Sequence, residues 1–493
     1  MKNRSRHWNT TRLRRASATA GCALAACAAW APTTAEACGE VSLCVNWTDL
    51  NLQDALAGDH LIEADLDSVP ARGARVTVIR PYPESAMDVW LGEDGCITYE
   101  SQFPSGHKLV VHAEAVIGFG TNERIHVKMH EDEDDLDAYM NPDPADDPVA
   151  PIWQVHVPAM PQDPEPWSIQ VDIPNDETQL VTLLATASEV LHRLHYDLEG
   201  SLITGTRRMR IALDPNQANA FARPNDVVLG TAALRRKFIL AHEIGHWIQL
   251  NVATSGPWTE EIDYNYGPDS TDPPLDPFVP NGGTPLGVPW ETPCRFAVAD
   301  LAMNDSSGTN PNRHGIRGAE FSTGAMPEGF GHFVAAAAFN DPDTTGIFRY
   351  YKDIDEELLP DYVDFEANDG DVALEGGAPA NTLGGASRWT ELYCEEDWRY
   401  PLQSGSLGQE VTTEIDWLRF FWQFSTPAEA GTPTFWDTVR LVTFAQDFDG
   451  GWSLTDLWPH LRDAIDEPGS GLSGYTARFE DVTIDNGVYN EPP

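Results

Sequence analysis

The segment His242-Glu243-Ile244-Gly245-His246 constrains this chain more than any other stretch of it. On a helix, positions four apart stand one above the other on the same face. A helix through this segment therefore sends two imidazoles to one point, with Glu243 beside them. Ile239-Leu240-Ala241 before the segment and Trp247-Ile248 after it are uncharged. This predicts a buried helix from about Ala232 to Val252, ended by Gly256-Pro257. Gly245 lowers helix propensity but lets another backbone come close. Two converging imidazoles begin a metal site, and a catalytic zinc ion takes three protein ligands plus water. The chain has fourteen histidines, so an accidental match to such a motif is expected on the order of a few per cent of the time. The apolar flanks lower that figure.

The third ligand has to come from elsewhere. An astacin-like continuation would put Gly and His three and six residues after the second histidine, where this chain has Gln249 and Val252. The best candidate is Glu328, in Met326-Pro327-Glu328-Gly329-Phe330-Gly331-His332-Phe333, followed by an alanine-rich run. Pro327 suits the first position of a helix, and the alanines suit close packing on the motif helix. Glu261 ranks second. It lies with Glu260 in a loop-like stretch after Gly256-Pro257. His314 reads as a surface histidine. His332, one turn beyond Glu328, reads equally as an outer-shell partner that orients a ligand or as a core histidine.

These two motifs together resemble the gluzincin metallopeptidases, which carry HExxH and a downstream glutamate. The resemblance covers roughly residues 178–345. It implies zinc held by His242, His246 and Glu328, with Glu243 as general base for peptide hydrolysis on protein or peptide substrates. It departs from the family pattern at Gly331, where Ala is usual, and in a longer spacer between the motifs. The resemblance also implies a strand edge beside the metal, on which a substrate can add as a further strand; Asn219–Ala222 or Asp226–Gly230 has the right chain position. The oxyanion-stabilising residue stays open, with Tyr351, Tyr393 and Tyr400 as candidates. The competing function is a non-catalytic surface or binding protein that keeps a zincin scaffold. An intact Glu243 favours the enzyme, because a scaffold needs only the ligands.

The expected fold class is α+β, a zincin-like domain with a mainly helical C-terminal part, preceded by a small all-β sandwich module. The all-β module spans 38–118, with strands at Val76–Ile79, Val89–Leu91, Gly95–Tyr99 and Leu109–Ala113. Its Asp94-Gly95-Cys96-Ile97-Thr98-Tyr99 segment resembles prealbumin-like β-sandwich modules. An acidic, Pro-rich linker with strands follows over 119–175; it contains Glu131-Asp132-Glu133-Asp134-Asp135, which reads as solvated. The catalytic domain spans 176–345, opening with a helix near Thr178–Leu198 and strands at Arg208–Leu213 and Asp226–Gly230. A long loop rich in Pro, Gly and Asp covers Asn265–Pro293. The C-terminal subdomain spans 346–493, with helices at Glu414–Phe424, Thr434–Phe444 and Ser453–Ile465. Asp447-Phe448-Asp449-Gly450 imitates part of an EF-hand loop. Ala445 stands where the first ligand would be, so an acidic turn is the better reading.

Composition bounds partners and compartment. Residues 1–37 combine Lys2, Arg4, Arg6, Arg12, Arg14 and Arg15 with an uncharged stretch and Ala35-Glu36-Ala37, which reads as a secretory signal peptide. Leu24-Ala25-Ala26-Cys27 offers a lipid anchor at Cys27 as the alternative. Either route takes the chain out of the cytoplasm, to an extracellular, periplasmic or cell-surface location, and no later apolar run is long enough to span a bilayer. Removing the leader takes 31 basic and 77 acidic residues to 25 and 76, net −51. That charge disfavours nucleic acid; calcium sites are the sharper reading of it, a solvated surface the plainer one. Five cysteines remain: Cys38, Cys44, Cys96, Cys294 and Cys394. Cys294 with Cys394 is the natural C-terminal pair, and two of the other three have room to bridge.

Overall fold

The computed structural model describes residues 39–48, 50, 68–81, 84–101, 107–118, 124–130, 151–156, 167–174, 180–197, 206–214, 220–223, 226–230, 237–252, 320–339, 411–412, 414–426, 431–447 and 457–485. The fold mixes helices with sheets. Residues 1–37 and 265–293, the acidic run, Cys38, Cys294, Cys394, Glu260, Glu261, His314, the three candidate tyrosines and the acidic residues beyond Asp447 lie outside these residues.

The strands in the first third are β1 (Gly39–Thr48), β2 (Ser68–Pro70), β3 (Ala74–Pro81), β4 (Glu84–Trp90), β5 (Cys96–Ser101) and β6 (Lys108–Ile117). Next come β7 (Arg124–His130), β8 (Pro151–His156) and β9 (Trp167–Pro174). In β1 every second residue is apolar, and Val41, Leu43, Val45 and Trp47 are fully buried, as a period of two requires. β1 pairs parallel with β9, and antiparallel with β5 and then β2. Cys44 faces Cys96 across the β1–β5 ladder, and the two form a disulfide. Two of the three N-terminal cysteines do therefore bridge.

Helix α1 (Leu180–His192), a π-turn (Arg193–Asp197), β10 (Thr206–Asp214), β11 (Ala220–Ala222) and β12 (Asp226–Gly230) follow. The larger sheet has eight strands, in the order β11-β12-β10-β7-β6-β3-β4, with β8 also on β6. Along β6, Lys108–His112 pairs with β8 and Glu114–Ile117 with β7. β7, β10 and β12 run parallel, and β11 is antiparallel at the end of the sheet. One hydrogen-bonded sheet thus runs across the boundaries expected near 118 and 175. β7 lies in the stretch expected as a linker with strands; its Ile125, Val127 and Met129 are buried in the core, an apolar signal of only three residues among basic ones.

Helix α2 (Lys237–Asn251) carries the motif. Short strand β13 (Glu320–Phe321) opens into α3 (Ser322–Phe339), and β14 (Val411–Thr412) pairs with β13. The remaining helices are α4 (Glu414–Ser425), α5 (Phe435–Asp447), α6 (Leu457–Asp466) and α7 (Thr476–Asp485). Every residue from Leu180 to Leu191 in α1 is buried. The single charge among them, Glu189, is tolerated because Arg72 and Arg193 pair with it at 3.0 and 2.9 Å. One hydrophobic cluster joins Val41 of β1 to Val482 of α7 through α1, α2 and α3. The C-terminal helices share this core: Phe421 of α4 packs on Phe330 and Phe333 of α3, and Phe435 of α5 stacks on Phe333 at 5.4 Å.

Candidate metal centre

α2 is apolar nearly all round, with Leu240, Ala241, Ile244, Trp247 and Ile248 buried. It can be enclosed on several sides, and its polar residues must then be satisfied inside the protein. α3 lies directly against it. A Cβ on Gly245 would stand 2.9 Å from the Cα of Gly331, and a Cβ on Gly331 would stand 2.9 Å from the ring of His242. The helices touch backbone to backbone there, and the space a side chain would fill at 331 is taken by an imidazole. That accounts for glycine in place of alanine at this position.

Pro327 lies inside α3 rather than at its start. The expectation of a helix opening at Pro327 is corrected by about a turn. β13 ends at Phe321 and the helix begins at Ser322, and the carbonyl of Thr323 cannot receive its usual intrahelical hydrogen bond from residue 327.

The close approach brings three ligand-type atoms together. The Nε2 atoms of His242 and His246 are 2.9 Å apart, and Glu328 Oε2 lies 3.0 Å from the first and 3.3 Å from the second. His246, Glu328 and Glu243 are buried, and the two imidazoles meet edge to face at 4.5 Å. Among the described residues this is the group able to hold a metal ion. A neutral imidazole carries one N–H and one lone pair, so the two Nε2 atoms own at most two protons for the three edges of the triangle. A cation among them engages all three lone pairs at once. Burial, with His332 and His246 adding to it, holds the His242 pKa well below the usual imidazole range, which keeps its lone pair available.

The structure therefore brings His242, His246 and Glu328 together, and Glu243 is buried on the same helix as the two histidines. His332 meets the other nitrogen of His242, Nδ1 to Nδ1, at 2.9 Å. The alternative ligands Glu261 and His314 lie outside the described residues. No protein-family model and no curated protein matches the sequence.

Proposed function

We propose that this chain is an exported zinc-dependent peptidase, with Glu243 as general base. The observation that carries this is the convergence of His242 Nε2, His246 Nε2 and Glu328 Oε2 within 3.3 Å of one another. Nitrogen and oxygen ligands at 2.0–2.1 Å from a tetrahedral zinc ion lie roughly 3.3 Å apart, and somewhat closer at narrower angles. The triangle fits that spacing, and its two-imidazole, one-carboxylate composition suits zinc. A zinc ion bound there supplies Lewis acidity, lowering the pKa of a water molecule towards neutrality and polarising a carbonyl.

The remaining work falls to the chain. Glu243, next to a ligand and buried, takes up the attacking water's proton at its carboxylate and delivers it to the leaving amine. β11 ends the sheet among the described residues, antiparallel to β12, and packs against α2. An extended peptide can add to such an edge, main chain to main chain, within reach of the motif helix. The basic, then apolar leader and the Cys44–Cys96 disulfide support a site of action outside the cytoplasm. No helix among the described residues is long and apolar enough to cross a membrane.

The test is hydrolysis of casein and of a peptide library by the purified chain beside Glu243→Ala. The expected result is cleavage by the wild type, and a loss of roughly 10²–10⁴-fold in the variant with zinc still bound. Equal cleavage by both sinks the mechanism. Zinc bound one to one with no cleavage of any peptide would return the chain to the non-catalytic scaffold.

A further inference from the structure

The contact between His242 Nδ1 and His332 Nδ1 at 2.9 Å bears on how the first ligand is aimed. One hydrogen bridges the two nitrogens, and it belongs to one ring or the other. If His332 owned it, the proton of neutral His242 would sit on Nε2, pointing at Glu328 and His246, and that nitrogen would have no lone pair for a metal. If His242 owns it, Nε2 is free to ligate and His332 Nδ1 is the acceptor. We infer that His332 is a positioning residue that accepts the Nδ1–H of His242, fixing both the tautomer and the ring orientation in which His242 Nε2 faces the metal. The inference rests on the metal reading of the site.

The surroundings favour this role over that of a core histidine. His332 stands four residues after Glu328 on α3, so one face of one helix presents a ligand and the group that aims another ligand. It is buried, its ring centroid is 4.3 Å from that of His242, and the planes are inclined by 48°. Gly331, with no Cβ, leaves the space in which the His242 ring reaches it. The acceptor is a neutral ring nitrogen. His332 thus orients His242 without adding negative charge to a site that already holds the Glu328 carboxylate.

Zinc affinity of the full chain, measured by competition with a chelator, tests this in the wild type, His332→Leu and His332→Asn. Asn sets a side-chain oxygen near the place of Nδ1, whereas Leu keeps the bulk and removes the acceptor. The expected result is a loss of about 10–100-fold for Leu and an affinity within a few-fold of wild type for Asn. Leucine binding zinc as tightly as wild type, or asparagine no better than leucine, overturns the inference and leaves the metal site standing. A wild-type chain that takes up no zinc overturns the metal reading and this inference with it. Nitrogen-15 spectra of histidine-labelled, zinc-loaded wild type need no variant. They should show His332 protonated at Nε2 and His242 at Nδ1; His332 carrying its proton on Nδ1 overturns the inference.

Discussion

Two buried carboxylates, Glu114 on β6 and Glu328 on α3, both meet imidazoles, and they meet them differently. Glu114 separates its donors: Arg75 Nη1 donates to Oε1 at 2.5 Å and His126 Nε2 to Oε2 at 2.7 Å. Glu189 on α1 does the same with Arg72 and Arg193. Glu328 instead has both imidazole nitrogens on the single oxygen Oε2, with those nitrogens also 2.9 Å from each other. Divergent donors close an ion pair and hold strands together. Ligand-type atoms converging on one point form a group that could hold a cation. Residue types alone would not separate the two sites, since each contains histidine and glutamate.

The comparison can be broken at its strongest point by Glu328→Gln. Zinc affinity should fall by at least about a hundredfold, more than an outer-shell change produces, with little change in thermal midpoint of the metal-free chain. Unchanged zinc affinity would remove Glu328 from the candidate ligands and move Glu261, the second-ranked candidate, ahead of it.

Glu114→Ala should show the reverse pattern: a stability loss of about 3 kcal/mol at neutral pH, the low end for breaking a buried pair because Arg75 is partly exposed, and no change in zinc binding. Burial raises the Glu114 pKa, but His126 and Arg75 outweigh it and hold it at about 2. A depressed carboxylate contributes stability above its unfolded pKa and loses it as pH falls through the folded one. The gap between wild type and variant in denaturant titrations should therefore narrow from about pH 4.5 towards pH 2. A gap that stays constant across that window would mean Glu114 acts by packing alone.

The smallest effect sharpens the geometry. Gly331→Ala places a methyl against the His242 ring and should cost about 2 kcal/mol, as overpacking does, while also weakening zinc. Full zinc affinity in that variant would show that the ring has other room.

Much of the candidate metal group is legible in the sequence because a helix converts a spacing of four into one face, and because Glu328 sits in a segment of distinctive residues. The pairing of His332 with His242 is not legible. It joins residues 90 apart, and no periodicity on either helix encodes how the two are rotated against each other. Gly331 is visible only as a departure from pattern until a ring is found in its place. Across the two sheets, β3, β5, β6, β10 and β12 are expected from short apolar runs set between turn residues. The ladder between β6 and β7 is not, because strand partners are set by tertiary contacts that one strand's sequence does not carry. The helices α4, α5 and α6 are expected from the sequence to within a few residues of their ends. Their packing on α3, which steadies the Glu328 helix, depends on aromatic contacts such as Phe333 with Phe435.

The parallel ladder between β7 and β10, from Arg124–His130 against Thr206–Ala212, bears on maturation. A protease that nicked the connection between these strands would leave the two pieces zipped together by main-chain hydrogen bonds. Stripping away everything before α1 would bare a row of amide and carbonyl groups along β10, an edge prone to recruit other chains. A propeptide of that extent could be cut, but it could not be shed without a replacement strand.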